Sequence, residues 1–173
     1  MTKSADKLYE QVSVLMKKDR WLEAIKLLKA DFSLVKQNWR LSWNLGWCYF
    51  NLSRFDDARK HLFHAAKLAP ENPICRWALG NVYLKKKQFK KAEVVLTESL
   101  KVKESHLTRI ALALAYLSQG KVKEAERVHL EGIKLKPGRS DRYESYAAFL
   151  SDVGREAEAR KMNRRVKDLR SIS

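Results

Sequence analysis

Two cysteines, three prolines and six glycines are all that 173 residues hold of the types that cross-link or punctuate a chain. Cys48 and Cys75 sit among apolar residues in helix-patterned sequence, with no Cys or His at metal-ligand spacing nearby. They read as small buried hydrophobes, not as a disulfide framework or a zinc site. The scarcity of glycine and proline disfavours a turn-rich β architecture. No stretch reaches the roughly 18 apolar residues of a membrane span, and the opening MTKSADKLYEQV lacks the apolar core of a signal peptide. The expectation is a cytoplasmic protein without a transmembrane segment. Acids are scarce as well: 20 Asp and Glu against 36 Lys and Arg give a formal charge of +16. That excess points to an acidic partner or surface and says nothing about fold.

Catalytic signals are equally thin. There is no glycine-rich phosphate loop. His61 and His64 fall three apart on the outward face of a helix pattern without a third ligand, and His106 and His129 have no Ser or Cys partner placed by the sequence. Asp56 and Asp57 open a helix, where the positive end of the dipole favours carboxylates. No catalytic residue, metal ligand or cofactor is expected, so the chain reads as a non-enzyme.

What is present is a repeat. The phrases WLEA, FDDA, FKKA, VKEA and EAEA end on Ala24, Ala58, Ala92, Ala125 and Ala159, spaced 34, 34, 33 and 34. The units run 5–38, 39–72, 73–105, 106–139 and 140–173, and together form one expected domain, 1–173. Each unit divides into two helices. In the second, Leu41, Leu45, Cys48, Tyr49 and Leu52 make one apolar stripe. Ser53 and Arg54 break it, Ala58, Leu62, Ala65 and Leu68 carry the next, and Pro70 stops it. Small residues at Gly46, Gly80 and Ala113 are placed to face Ala58, Ala92 and Ala125 and let paired helices approach. The last helix, with Ala159, Met162, Val166 and Leu169 in otherwise charged sequence, suits a solvating cap.

These residues resemble the tetratricopeptide repeat (TPR) family. Leu45, Gly46, Tyr49, Ala58, Leu62, Ala65 and Pro70 match its pattern in the second unit. Leu79, Gly80, Tyr83, Ala92 and Leu96 match in the third, and Leu112, Ala113, Tyr116, Ala125 and Pro137 in the fourth. The pattern departs where Glu104 replaces a proline, Val12 a glycine and Asn163 an apolar residue. The resemblance implies an all-α fold: a TPR-type right-handed α-solenoid of about five helix-turn-helix repeats, acting as a protein-binding adaptor or scaffold.

In that family the first helix of each repeat lines a concave groove. Carried over, the groove positions fall on Tyr9, Trp43, Trp77, Ile110 and Glu144; on Ser13, Trp47, Asn81, Leu114 and Ala148; and on Met16, Phe50, Leu84, Leu117 and Ser151. Trp43, Trp47 and Phe50 form a stripe on one helix, separate from the face of Leu45, Gly46 and Tyr49. Tyr9, Trp43, Trp47, Phe50, Trp77, Asn81 and Leu114 are the candidate binding site, with Asn81 offering a hydrogen bond. Packing against the next repeat is the competing reading, and Trp39 and Trp21 read as structural. Asn44 matches one slot of the co-chaperone carboxylate clamp, but Tyr9, Ser13, Ile74 and Ala78 do not match its neighbours, which argues against that clamp. The groove instead resembles those of TPR proteins that hold an apolar or amphipathic segment, as small bacterial secretion chaperones do.

Lys85, Lys86, Lys87, Lys90 and Lys91 cluster at the turn of the third repeat, near the turn positions of Lys17, Lys18, Arg20, Arg54, Lys121, Lys123 and Arg155. The last helix adds Arg160, Lys161, Arg164, Arg165, Lys167 and Arg170. This basic edge reads as a solvated face, or as a binder of acidic protein, anionic membrane or nucleic acid. Nucleic acid is the least favoured, because no per-repeat base code is apparent. The expected partner is another protein: an apolar or amphipathic segment with acidic flanks.

Overall fold

The computed structural model describes residues 3–171, with Lys3 defined by its backbone alone, so the ends of the 1–173 array lie outside it. The chain forms two compact units, Met1–Lys103 and Glu104–Ser173. The first contains α1 (Lys3–Lys17), α2 (Trp21–Ala30), α3 (Phe32–Gln37), α4 (Trp39–Asn51), α5 (Phe55–Leu68), α6 (Pro73–Lys85) and α7 (Phe89–Val102). The second contains α8 (His106–Leu117), α9 (Val122–Leu135), α10 (Ser140–Asp152) and α11 (Glu156–Ser171). No strand occurs among the described residues.

The same turn joins the helices within all five repeats. Asp19, Ser53, Lys87, Gly120 and Gly154 have φ of 54°, 58°, 56°, 74° and 79°, each five residues before the repeat alanine. The following amide reaches back to the last turn of the first helix: Arg20 N to Leu15 O at 3.0 Å, Arg54 N to Tyr49 O at 2.9 Å, Gln88 N to Tyr83 O at 2.8 Å, Lys121 N to Tyr116 O at 3.0 Å, and Arg155 N to Leu150 O at 2.8 Å. This left-handed C-terminal cap folds the second helix back onto the first. The turn's arginine then meets an acid in the next helix, Arg20 with Glu23, Arg54 with Asp57 and Arg155 with Glu158. Helix entry uses side-chain caps: Asn38 Oδ1 accepts from Arg40 N at 2.9 Å, and Asn72 Oδ1 from Ile74 N at 3.1 Å.

In the first unit α4 lies at the centre, touching α1, α2, α3, α5 and α6. Leu41, Leu45, Cys48 and Tyr49 are buried there against Val12, Leu28, Ala58, Leu62 and Val82. Paired helices do approach closely at Gly46 and Gly80, where the atoms nearest an added Cβ belong to Leu62 and Leu96, one turn beyond the repeat alanines. A Cβ on Gly46 would stand 2.7 Å from Leu62 Cγ, and one on Gly80 2.5 Å from Leu96 Cδ2. Val12, in the slot where glycine is usual, is itself wholly buried. Two local expectations are corrected. Ala69, not Leu68, closes the buried face of α5, leaving Leu68 exposed. The second helix of the first repeat is also divided, because Asp31 adopts φ −125°, ψ 62° and caps a fresh helix by accepting from Leu34 N.

The second unit is tied together by Glu104, at the position where the family pattern has proline. Its carboxylate accepts from Arg109 Nε at 2.9 and 3.0 Å and from Arg142 Nη1 at 3.2 Å. Arg109 also donates to Val128 O at 3.3 Å and Glu131 at 3.2 Å, so one network binds α8, α9 and α10. Burial alone would raise the Glu104 carboxyl, but hydrogen bonds and charge from the two guanidinium groups outweigh it and hold it below the usual range. Gly132 provides room: a Cβ there would lie 3.2 Å from Arg109 Cδ. The remaining core is Leu112, Ala115, Ala125, Val128, Tyr146, Phe149, Leu150, Ala159 and Val166.

Candidate functional site

Spacing of four on α4 brings the tryptophan rings together in a continuous stack. Trp43 and Trp47 lie 5.4 Å apart between centroids at 10°, and Trp47 and Phe50 4.8 Å apart at 10°. Trp47 also stacks across to Trp77 on α6, at 5.3 Å and 30°. Phe50 meets Phe55 edge-on at 5.8 Å. These rings are half-buried: one side packs on the core of the first unit and the other stays open. Offset stacking of this kind gives a rigid apolar surface that loses little side-chain entropy on contact with a ligand.

Beyond Trp43 the surface opens into a cleft of about 320 Å³, lined by Tyr9, Trp39, Arg40, Trp43, Asn44 and Ile74. Tyr9 joins the group through a cation: the Arg40 guanidinium lies 5.6 Å from both the Tyr9 and Trp39 ring centroids. Trp39, read from sequence as structural, is therefore at the site's edge. Arg40 is a residue that sequence reasoning missed, since a lone arginine beside aromatic residues has no spacing signature. Asn81 directs its amide nitrogen to Trp77 O at 2.8 Å, so that donor is already engaged by the helix. Trp21 packs on the core, as its structural reading expects.

Leu114 belongs to the second unit. There it is 48% exposed and lines a separate apolar cleft of about 380 Å³ with Ile110, Leu117, Ala148 and Phe149. His129 closes the floor, stacked on Tyr146 at 5.9 Å and close to Phe149 at 5.2 Å. Burial lowers its imidazole to about 4.

The basic cluster is only partly free. Lys86 pairs with Asp56, linking the end of α6 to the start of α5, whereas Lys85, Lys87, Lys90 and Lys91 are exposed. The other polar candidates are structural. His61 is not on an outward face; it stacks on Tyr49 at 5.6 Å and meets Phe32 edge-on at 6.0 Å, and burial lowers it to about 4. His64 bonds the Lys36 carbonyl at 2.9 Å. Cys48 and Cys75 are free and buried, and burial pushes both thiols up to about 12. Among the described residues no three of His, Cys, Asp and Glu gather at one point, and no helix is long and apolar enough to cross a membrane.

Three family models described as tetratricopeptide repeat match residues 9–73, 75–106 and 108–143. The chain belongs to the tetratricopeptide repeat family, an all-α class of helix-turn-helix scaffolds for protein–protein interaction. No curated protein matches the sequence. Solved structures share the fold at low identity. MamA from Desulfovibrio magneticus RS-1 (residue 41 to the end) is 19% identical with a TM-score of 0.75, covering 100% of this chain and 98% of that one. A tetratricopeptide repeat protein from Parabacteroides merdae is 20% identical with a TM-score of 0.80, covering 95% of this chain and 64% of that one.

Proposed function

We propose that this protein is an adaptor whose aromatic stack holds an apolar or amphipathic segment of a partner protein, in a chaperone-like manner and without chemistry of its own. The stacked rings of Trp43, Trp47, Phe50 and Trp77 carry this reading. A face that presents three indoles and a phenyl ring in register exceeds what packing of α4 on α6 requires, and tryptophan is among the residues most enriched at binding hot spots. Tyr9 extends the surface on one side. Leu114 and its apolar neighbours offer an apolar contact surface of their own in the other unit. The excess of positive charge favours acidic flanks on the bound segment. A cytoplasmic location fits the two free thiols.

The exposed Lys85, Lys87, Lys90 and Lys91 support a second reading, binding of nucleic acid or an acidic membrane through the basic edge. Salt separates the two. Affinity for the partner captured from source cells is expected to fall only modestly as salt rises, because the acidic flanks are screened but the apolar burial is not. A steep linear fall of log affinity with log salt would transfer the function to the basic edge.

A further inference from the structure

Two adjacent side chains at the head of the aromatic stack each bury a hydrogen-bond donor without a partner: the indole nitrogen of Trp43 and the amide nitrogen of Asn44. Asn44 is only 3% exposed. Stranded donors are uncommon in folded proteins because each one forfeits its hydrogen bond to water without gaining another. Both residues line the same cleft as Arg40. Arg20, Arg54, Arg109, Arg142 and Arg155 all have carboxylate partners. Arg40 has only the Tyr9 and Trp39 rings beneath it among the described residues, so its five donors keep their capacity for an anion. The helix terminus itself is not the attraction, since Asn38 already caps the Arg40 and Leu41 amides.

We propose that this cleft is a carboxylate subsite, in which Arg40, the Trp43 indole N–H and the Asn44 amide receive the side chain of an aspartate or glutamate lying within the bound segment. The inference rests on the partner-binding reading above and specifies the chemistry of its ligand. A carboxylate is acceptor-only, so it satisfies all three groups at once, and its charge offsets that of Arg40. Tyr9, Trp39 and Ile74 give the cleft apolar walls from three helices. That suits an acid flanked on both sides by apolar residues and not a bare chain terminus. The two nitrogens are shielded from solvent, so binding requires side chains that line the cleft to shift and uncover them.

The test uses three tripeptide probes at constant ionic strength: acetyl-Leu-Glu-Leu-amide, its Gln counterpart, and acetyl-Leu-Gln-Leu with a free C-terminus. Binding is followed by amide and indole chemical shifts of residues 39–44. The Glu probe is expected to bind about tenfold tighter than the Gln probe, the difference between a charge-assisted and a neutral hydrogen bond. Arg40→Gln and Trp43→Phe should each abolish that preference. Trp43→Phe keeps an aromatic ring in the stack, and Arg40 is a surface side chain, so neither test depends on a disrupted core. Equal binding of the Glu and Gln probes would overturn the subsite while leaving apolar recognition by Trp47 and Trp77 standing. So would an unchanged Glu preference in Arg40→Gln. Preference for the free C-terminus over the internal glutamate, or no shift with any probe, would overturn it as well.

Discussion

Gly46 allows the close approach of α4 and α5 to be tested in kcal/mol. In Gly46→Ala the new methyl would stand 2.7 Å from Leu62 Cγ, 3.0 Å from Leu62 Cδ2 and 3.0 Å from the Leu62 amide nitrogen. Rotation of the leucine relieves the first two contacts but not the third, which requires the helices to separate. Overpacking of this kind costs about 1–3 kcal/mol. Alanine also recovers about 1 kcal/mol of helix propensity over glycine. The separation demanded by the backbone contact places the packing cost near the top of its range, so the net loss should be about 2 kcal/mol, since roughly 3 minus 1 remains. At Gly138 a Cβ meets nothing within 4 Å, so Gly138→Ala is the neutral control. Leu62→Ala should cost about 2–5 kcal/mol alone, and the double variant less than the sum, because the two changes share one space. Urea unfolding followed by far-UV circular dichroism measures all four. A neutral Gly46→Ala, or strict additivity with Leu62→Ala, would refute the argument.

Lys87→Gly and Ser53→Gly remove side chains from left-handed turns at φ 56° and 58°, and should each stabilise by about 0.5–1 kcal/mol in the same assay. Glu104→Ala leaves Arg109 and Arg142 buried without their shared carboxylate and should cost about 3–5 kcal/mol, with Glu104→Gln recovering part of it. His129 lies at about 4 in the folded chain against an ordinary 6.5, so the unfolded chain takes up its proton first as pH falls. Its contribution is intact above about 6.5 and should be lost between there and about 4, at roughly 1.4 kcal/mol per pH unit for a single group. His129→Phe should flatten that slope, although His61, also lowered to about 4, will leave part of it.

Most of the fold was legible because it repeats. The constant interval between Ala24, Ala58, Ala92, Ala125 and Ala159 marks a turn that recurs at the same place, and the structure adds the shared left-handed residue that makes it. The break at Asp31 was not legible, since KADFSL carries neither glycine nor proline; a capping aspartate competes there with helix continuation. Glu104 looked like a departure from the family and is instead the centre of a network spanning 38 residues of sequence, a distance that local patterns do not report. On α4 the spacing of Trp43, Trp47 and Phe50 announced a common face. The stack onto Trp77 and the cation between Tyr9 and Trp39 arise only when α1 and α6 are brought alongside.

Trp47 tests the central claim most directly, because it touches Trp43, Phe50 and Trp77 at once. Trp47→Ala and Leu45→Ala are compared by unfolding free energy and by affinity for the partner captured from source cells. Leu45 is wholly buried, and its truncation should cost about 2–5 kcal/mol of stability. Trp47→Ala should cost less stability than Leu45→Ala, because its ring is only half-buried, while weakening binding by about 2 kcal/mol, roughly thirtyfold. If Trp47→Ala unfolds like Leu45→Ala, or binds the partner as the unsubstituted protein does, the stack is packing and the recognition site lies elsewhere.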